Sequence, residues 1–404
     1  MQSAQFCGTE ASRLALSATM LALVALVASV AAQTGTTTQA LPAGSWRFIV
    51  SGDSRNCGDI VMPAIAAHSK QFEPKFYWHL GDLRAMYGID EDMAAAAKIK
   101  GESLSCKSYQ RRAWSDFIEN QIAPFGDLPF YLGIGNHEVI APKSEDAFKR
   151  QFHDFLDIPS LRRERAVDGE SAEVQSYFHW VQGSVDFIYL DNANNFFSEE
   201  QLAWFFRRLS EATNTPQIKS LVVGMHEALP DSVANYHSMG ENSDPRARLT
   251  GTTVYRALRD FNRNKPKGAP DKPIYVLASH SHLYLANIFE TAKLKEGGEK
   301  PLPGWITGTA GAERHPLPSG VDPSPTAVQD TYGYLLATVA ADGTIEFAFQ
   351  KLSQSDVPST VKQRYPADFI PWCFEKNSRN KPPDTRYVAE RCPLPTPDAD
   401  RTSQ

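Results

Sequence analysis

Cysteine is scarce, with five in 404 residues, and no two stand in a Cys-x-x-Cys pair, so a zinc ribbon or similar metal clip is excluded. Basic residues are not in excess either. The 41 Lys and Arg against 47 Asp and Glu give a net charge of −6, without the positive surface that a nucleic-acid binder needs to release counterions. No Asn-x-Ser/Thr acceptor with a permitted middle residue occurs, so N-glycosylation is not predicted. No internal repeat is present. With 22% charged and 42% hydrophobic residues, neither class is short enough for a collagenous, coiled-coil or wholly disordered chain.

One segment stands apart. Leu14 to Ala32 carries no charge, follows Arg13, and ends in the small residues Val30, Ala31 and Ala32. It reads as a secretory signal peptide over residues 1–32 rather than a retained membrane anchor, because the strongly apolar part is only Met20 to Val27. An exported chain, periplasmic or extracellular, is the expectation, with no stable membrane insertion once the signal is removed. Cys7 falls in the signal, leaving Cys57, Cys106, Cys373 and Cys392. Four cysteines in an oxidising compartment suggest two disulfides, with three possible connectivities. Pairing of neighbours, Cys57 with Cys106 and Cys373 with Cys392, is expected.

After a polar linker at 33–45, short apolar runs alternate with helical stretches in the manner of an α/β domain over 46–350. Trp46 to Ser51, Lys75 to Leu80, Leu128 to Gly133, Ser220 to Val223 and Pro273 to Ala278 predict buried strands. Ser176 to Val181 and Val185 to Leu190 predict a hairpin. So do Tyr332 to Val339 and Thr344 to Leu352. Ser198-Glu199-Glu200-Gln201 predicts a capped helix with an apolar stripe of Leu202, Phe205, Phe206 and Leu209. Residues 351–392 form a Pro-rich extension closed by its own disulfide, and 393–404 a mobile tail.

Metal-ligand residue types recur where the predicted strands end: Gly52-Asp53-Ser54-Arg55, Gly81-Asp82-Leu83-Arg84, Gly135-Asn136-His137-Glu138, Met225-His226 and Ser279-His280-Ser281-His282. Ligands of open α/β sheets bind outside the carboxyl ends of the strands, so five such blocks point to one crevice. Carboxylates, an amide oxygen and imidazoles suit Mn, Fe, Zn and similar ions. His68, His79, His153, His179 and His315 have no such context and read as structural or surface residues.

In these five blocks the chain resembles the calcineurin-like metallophosphoesterases, the family that includes the purple acid phosphatases. The resemblance implies a four-layer αββα sandwich, two mixed β-sheets flanked by helices. It implies two metal ions, one on Asp53, Asp82 and His282, the other on Asp82, Asn136, His226 and His280, with Asp82 bridging. The activity implied is hydrolysis of phosphate mono- or diesters of a small molecule by a metal-bound hydroxide, with no nucleic acid as partner. His137 resembles the family histidine beside the phosphate. His237, in Asn235-Tyr236-His237, resembles one that contacts substrate, and is a candidate general acid. Three departures stand out. Arg55 replaces the His of Asp-x-His and cannot ligate a metal; it is a candidate phosphate contact, with Arg84 a second. Ala85 stands where the purple enzymes place an iron-binding Tyr, with Tyr87 nearby but out of register. Ser279 replaces a Gly. A catalytically silent binding protein on the same scaffold is the alternative. Substrate choice is expected from the loops Met86 to Gln110, Lys143 to Glu173 and Glu227 to Leu249.

Overall fold

A computed structural model describes residues 41–393 apart from 235, 242, 243, 383, 388 and 389. The expected signal peptide with Cys7, the linker up to residue 40, Asn235 and the tail from 394 lie outside the described residues. Twelve strands are found among those described: β1 (Trp46–Ser51), β2 (Tyr77–His79), β3 (Phe130–Leu132), β4 (Phe178–Gln182), β5 (Val185–Leu190), β6 (Ser220–Met225), β7 (Ile274–Ala278), β8 (Tyr284–Ala286), β9 (Gly304–Thr307), β10 (Ala327–Val328), β11 (Gly333–Val339) and β12 (Ile345–Lys351). They form two mixed sheets, ordered β12-β11-β1-β2-β3 and β10-β8-β9-β7-β6-β5-β4. Within them β1, β2 and β3 run parallel, as do β5, β6, β7 and β9.

The central strands read as unbroken apolar runs because both of their faces are covered. In β5, Phe187 and Tyr189 belong to the core between the sheets. Ile188 and Leu190 belong instead to a second core, with Trp204, Phe205, Val254 and Leu258 from the helices Glu199–Asn214 and Pro245–Arg259. The core between the sheets is aromatic. Tyr131 stacks on Trp180 at 3.7 Å between ring centroids, and Phe48 meets Phe187 edge-on at 5.1 Å. A Cβ at Gly224 would lie 2.4 Å from the Trp78 ring, so that β6 position admits only glycine if the sheets are to keep their spacing.

Ser198 caps the helix Glu199–Asn214, its side chain accepting from Gln201 N at 3.1 Å. Gln201 does not complete a capping box. Its amide instead bonds both backbone groups of Asp191 past the end of β5. The apolar stripe is also rotated from the expected one, with Trp204 buried and Phe206 42% exposed. Loops expected at Met86 to Gln110 and Lys143 to Glu173 carry the helices Glu91–Ile99, Glu145–Gln151, His153–Leu156 and Pro159–Val167 and the start of Cys106–Phe117.

The disulfides correct the sequence expectation. Cys57 pairs with Cys373 and Cys106 with Cys392, across separations of 316 and 286 residues. The extension is therefore not closed on itself but bonded near its middle and at its end to the first third of the chain. Proximity along the sequence is a poor guide here, because the fold brings the helix Phe369–Glu375 against Cys57, just ahead of the helix Gly58–Ser69. Tyr365, Phe369 and Trp372 enter the same core as Phe48 and Trp78. In the chain-entropy account, loops this long stabilise by on the order of 5 kcal/mol each. Peptide mapping without reduction should therefore recover Cys57–Cys373 and Cys106–Cys392 peptides, and recovery of a Cys373–Cys392 peptide would contradict the structure.

Candidate metal centre

Each block sits on a turn directly beyond a strand of one sheet or the other, and the turns are tied together. Asp53 N donates to Gly81 O, Ser54 N to Asp82 O, and Ser279 N to His226 O. Asp53, Asp82, His280 and His282 have φ of 60°, 62°, 66° and 45°. These left-handed conformations are costly for residues with a Cβ and persist where the surroundings over-determine them, commonly at functional sites. Gly135 lets the turns touch, since a Cβ there would fall 2.4 Å from Asp82 N and Oδ1.

Four donor atoms face one another. His226 Nε2 lies 3.2 Å from Asp82 Oδ1, 3.0 Å from Asn136 Oδ1 and 3.0 Å from His280 Nδ1. His226 Nδ1 donates to Leu80 O at 3.0 Å, which leaves the Nε2 lone pair directed into the cluster. Asp53 adjoins it, holding His280 N through Oδ2 at 2.7 Å. Donors about 3.0 Å apart match neighbouring ligands of an ion with bonds of about 2.1 Å.

The electrostatics call for a cation. Asp53 and Asp82 are fully buried, and Asp53 Oδ1 and Asp82 Oδ2 have no hydrogen-bond partner. Burial pushes Asp53 up to about 6, against the pull of His226. Burial would raise Asp82 too, but His137 and His226 hold it well below the carboxylate range. Burial opposes charge on His226, yet the Asp82 carboxylate raises it to about 10, so without an ion the cluster holds a proton on Nε2, where a bound ion would displace it. A divalent ion with oxygen and nitrogen ligands fits this donor set.

The half of the site formed by Asp53, Asp82 and His282 differs. His282 Nε2 is 3.3 Å from Asp53 Oδ1 but 2.7 Å from Arg55 Nη2. Arg55 Nε lies 3.7 Å from Asp82 Oδ2, and Nη1 donates to Tyr87 Oη at 2.9 Å. The guanidinium lies between His282 and Asp82, on the side of the centre where the family resemblance implies the first ion.

His137 donates from Nδ1 to Ala85 O at 2.6 Å, with Nε2 3.5 Å from Asp82 Oδ2; burial and then Arg55 lower it to about 4. His237 Nδ1 meets His280 Nε2 at 3.2 Å, and burial, then Arg379, lowers its pKa. Arg84 is not brought to the site. It is fully buried among Asp59 at 2.5 Å, Asp92 at 2.9 Å and Asp116, with Asp90 at 3.7 Å. With every charge partner inside the protein, Arg84 anchors the turn beyond Asp82 and is not a phosphate contact.

Three residues that give no signal in isolation support the site. Glu138, inside the Gly-Asn-His-Glu block, accepts from Asp82 N, Leu83 N and Gly135 N at 2.8 to 3.0 Å. Asn192, just past β5, accepts from the backbone of His226 and Glu227 at 3.1 Å. His315 lies 4.1 Å from His282 between ring centroids, with neither nitrogen hydrogen-bonded. The turn Gly308 to Gly311 carries the chain back to Asp53, whose carbonyl accepts from Ala312 N at 2.9 Å, and so brings His315 in. His79 is structural as expected, with Nε2 3.0 Å from Ser54 Oγ.

A cavity of about 450 Å³ opens beside Arg55 and His282, walled by Tyr87 and by Trp372, Lys376 and Arg379 of the C-terminal extension. The expected loop Lys143 to Glu173 does not line it.

The sequence matches no protein-family model and no curated protein. Among solved structures, a purple acid phosphatase from yellow lupin (Lupinus luteus) seeds aligns with a TM-score of 0.50 at 14% identity, over 77% of this chain and 52% of that one. This chain thus spans about half the length of the lupin protein. GAP50, the anchor in the inner membrane complex of Plasmodium, aligns at 0.46 and 12% identity over 76% and 84%. PhoD aligns at 0.44 and 16% over 78% and 72%. With two mixed sheets flanked by helices, the chain has the calcineurin-like metallophosphoesterase fold.

Proposed function

We propose that the chain is an exported, metal-dependent phosphoester hydrolase acting on a phosphorylated small molecule. The observation that carries this reading is the convergence of Asp82, Asn136, His226 and His280 donor atoms beside two buried carboxylate oxygens that have no hydrogen bond. Two disulfides support export. No described helix is long and apolar enough to cross a membrane.

Asp82, Asn136, His226 and His280 would hold a divalent ion there, which would supply Lewis acidity and an ionised water as nucleophile. The protein supplies the orientation. Asn192 fixes the His226 backbone, the Leu80 carbonyl fixes its tautomer, and Glu138 clamps the Asp82 and Asn136 turns together. At the cavity mouth, Arg55, Lys376 and Arg379 attract a phosphate group and orient its oxygens toward the cluster. His237, bonded to His280 at the edge of the cluster, is the candidate proton donor to the leaving oxygen.

Purified mature protein should hydrolyse nitrophenyl phosphate or bis-nitrophenyl phosphate, with chelator abolishing turnover and added Mn, Fe, Zn, Ni or Co restoring it. Asn136→Ala should lower the rate by more than about 100-fold, since even an outer hydrogen-bond partner of a ligand is worth about 10–100-fold. Chelator-insensitive turnover would sink the metal-dependent reading.

His237 tests the proton-transfer step separately. Its lowered pKa means that it carries a proton to donate only in acid solution. His237→Ala should cost about 10²-fold on alkyl phosphates at acidic pH and little on nitrophenyl esters, whose leaving group needs no proton. The gap between the two substrates should close as pH rises. An equal loss on both at every pH would remove His237 from proton donation.

A further inference from the structure

The two halves of the centre are not equivalent. Around Asp82 Oδ1, Asn136 Oδ1, His226 Nε2 and His280 Nδ1 the donor atoms face each other, with Asp53 in the same group of potential ligands, and Arg55 approaches only through the other Asp82 oxygen, Oδ2. Between Asp53, Asp82 and His282 the space is filled by a guanidinium that is 6% exposed.

This filling is specific. His282 Nδ1 donates to Glu313 O at 2.7 Å, so its lone pair sits on Nε2. That is the lone pair a metal would need, and it accepts from Arg55 Nη2. Arg55 Nη1 is held by Tyr87, whose ring lies 5.9 Å from the guanidinium carbon. The departure at position 55 and the out-of-register Tyr87 therefore act together: the tyrosine props the arginine in place. An arginine stays charged at any ordinary pH and offers no lone pair. It repels an ion at this distance while using up the histidine ligand.

We infer that the centre is built for a single divalent ion, held by Asp82, Asn136, His226 and His280, with Arg55 supplying the positive charge that a second ion would otherwise bring. The inference rests on the metal-dependent reading above. A guanidinium cannot ionise water as a metal does, but its planar fork pairs with phosphoryl oxygens. The ion and Arg55 thus divide between them the work that two ions share elsewhere.

The test counts ions rather than turnovers. Full-length mature protein equilibrated with Mn(II) and freed of excess should carry one ion per chain by elemental analysis. Its electron paramagnetic resonance should be that of an isolated ion. Arg55→His rebuilds an Asp-x-His run and should carry two ions per chain, with a spin-coupled spectrum. Two ions in the unmodified protein would overturn the inference while leaving the metal-dependent reading intact. No ion at all would remove both. One ion in both the unmodified protein and Arg55→His, with unchanged circular dichroism, would overturn the role of Arg55. Should Arg55→His fail to fold, the count in the unmodified protein still decides.

Discussion

Asp82 is a carboxylate with no exposed surface, set in a left-handed turn, and every other part of the centre is arranged around it. Its Oδ1 receives the His137 backbone N–H at 3.0 Å and faces His226 at 3.2 Å, while its own N–H is taken by Glu138. Two residues on, Arg84 sinks into a ring of four aspartates and fixes where the turn goes. Breaking such a buried pair typically costs about 3–5 kcal/mol, which is what makes it an anchor. A charge held this firmly in a dry interior must be met by positive partners. Arg55 meets it on one side, and the four-donor cluster leaves room for an ion on the other.

Arg55 also ties the centre to the C-terminal extension. Two residues after it, Cys57 is bonded to Cys373 in a helix that, with Trp372, walls the adjoining cavity. The second bridge, Cys106–Cys392, fastens the far end of the same segment. A segment that in the sequence looks like an appendage thus becomes one side of the cavity beside the centre. Its Lys376 and Arg379 line this cavity together with Arg55.

Much of this architecture is legible in the order of the residues alone. The strands show as apolar runs because both of their faces are buried, as at Val185 to Leu190. The blocks at Asp53, Asp82, Asn136, His226 and His280 show because a glycine, serine or methionine ends each run ahead of a polar ligand type. Relations made only through space are not legible. The bridges of Cys57 and Cys106 reach across more than two thirds of the chain, where spacing carries no information. Arg84 reads as a free cation because its partners come from separate segments, at residues 59, 90, 92 and 116. His315 has no motif of its own, since a turn, not its neighbours, delivers it to His282. The arginine at position 55 is plain in the sequence, but its meaning depends on Tyr87 and on the tautomer that Glu313 imposes.

The central claim is that Asp82, Asn136, His226 and His280 form a cation site. It is tested most directly by anomalous diffraction from crystals of the protein grown with Mn(II). The account predicts an anomalous peak within bonding distance of those four side chains and none between Arg55 and His282. A Mn-containing crystal without a peak among the four, or with its ion elsewhere, would contradict it.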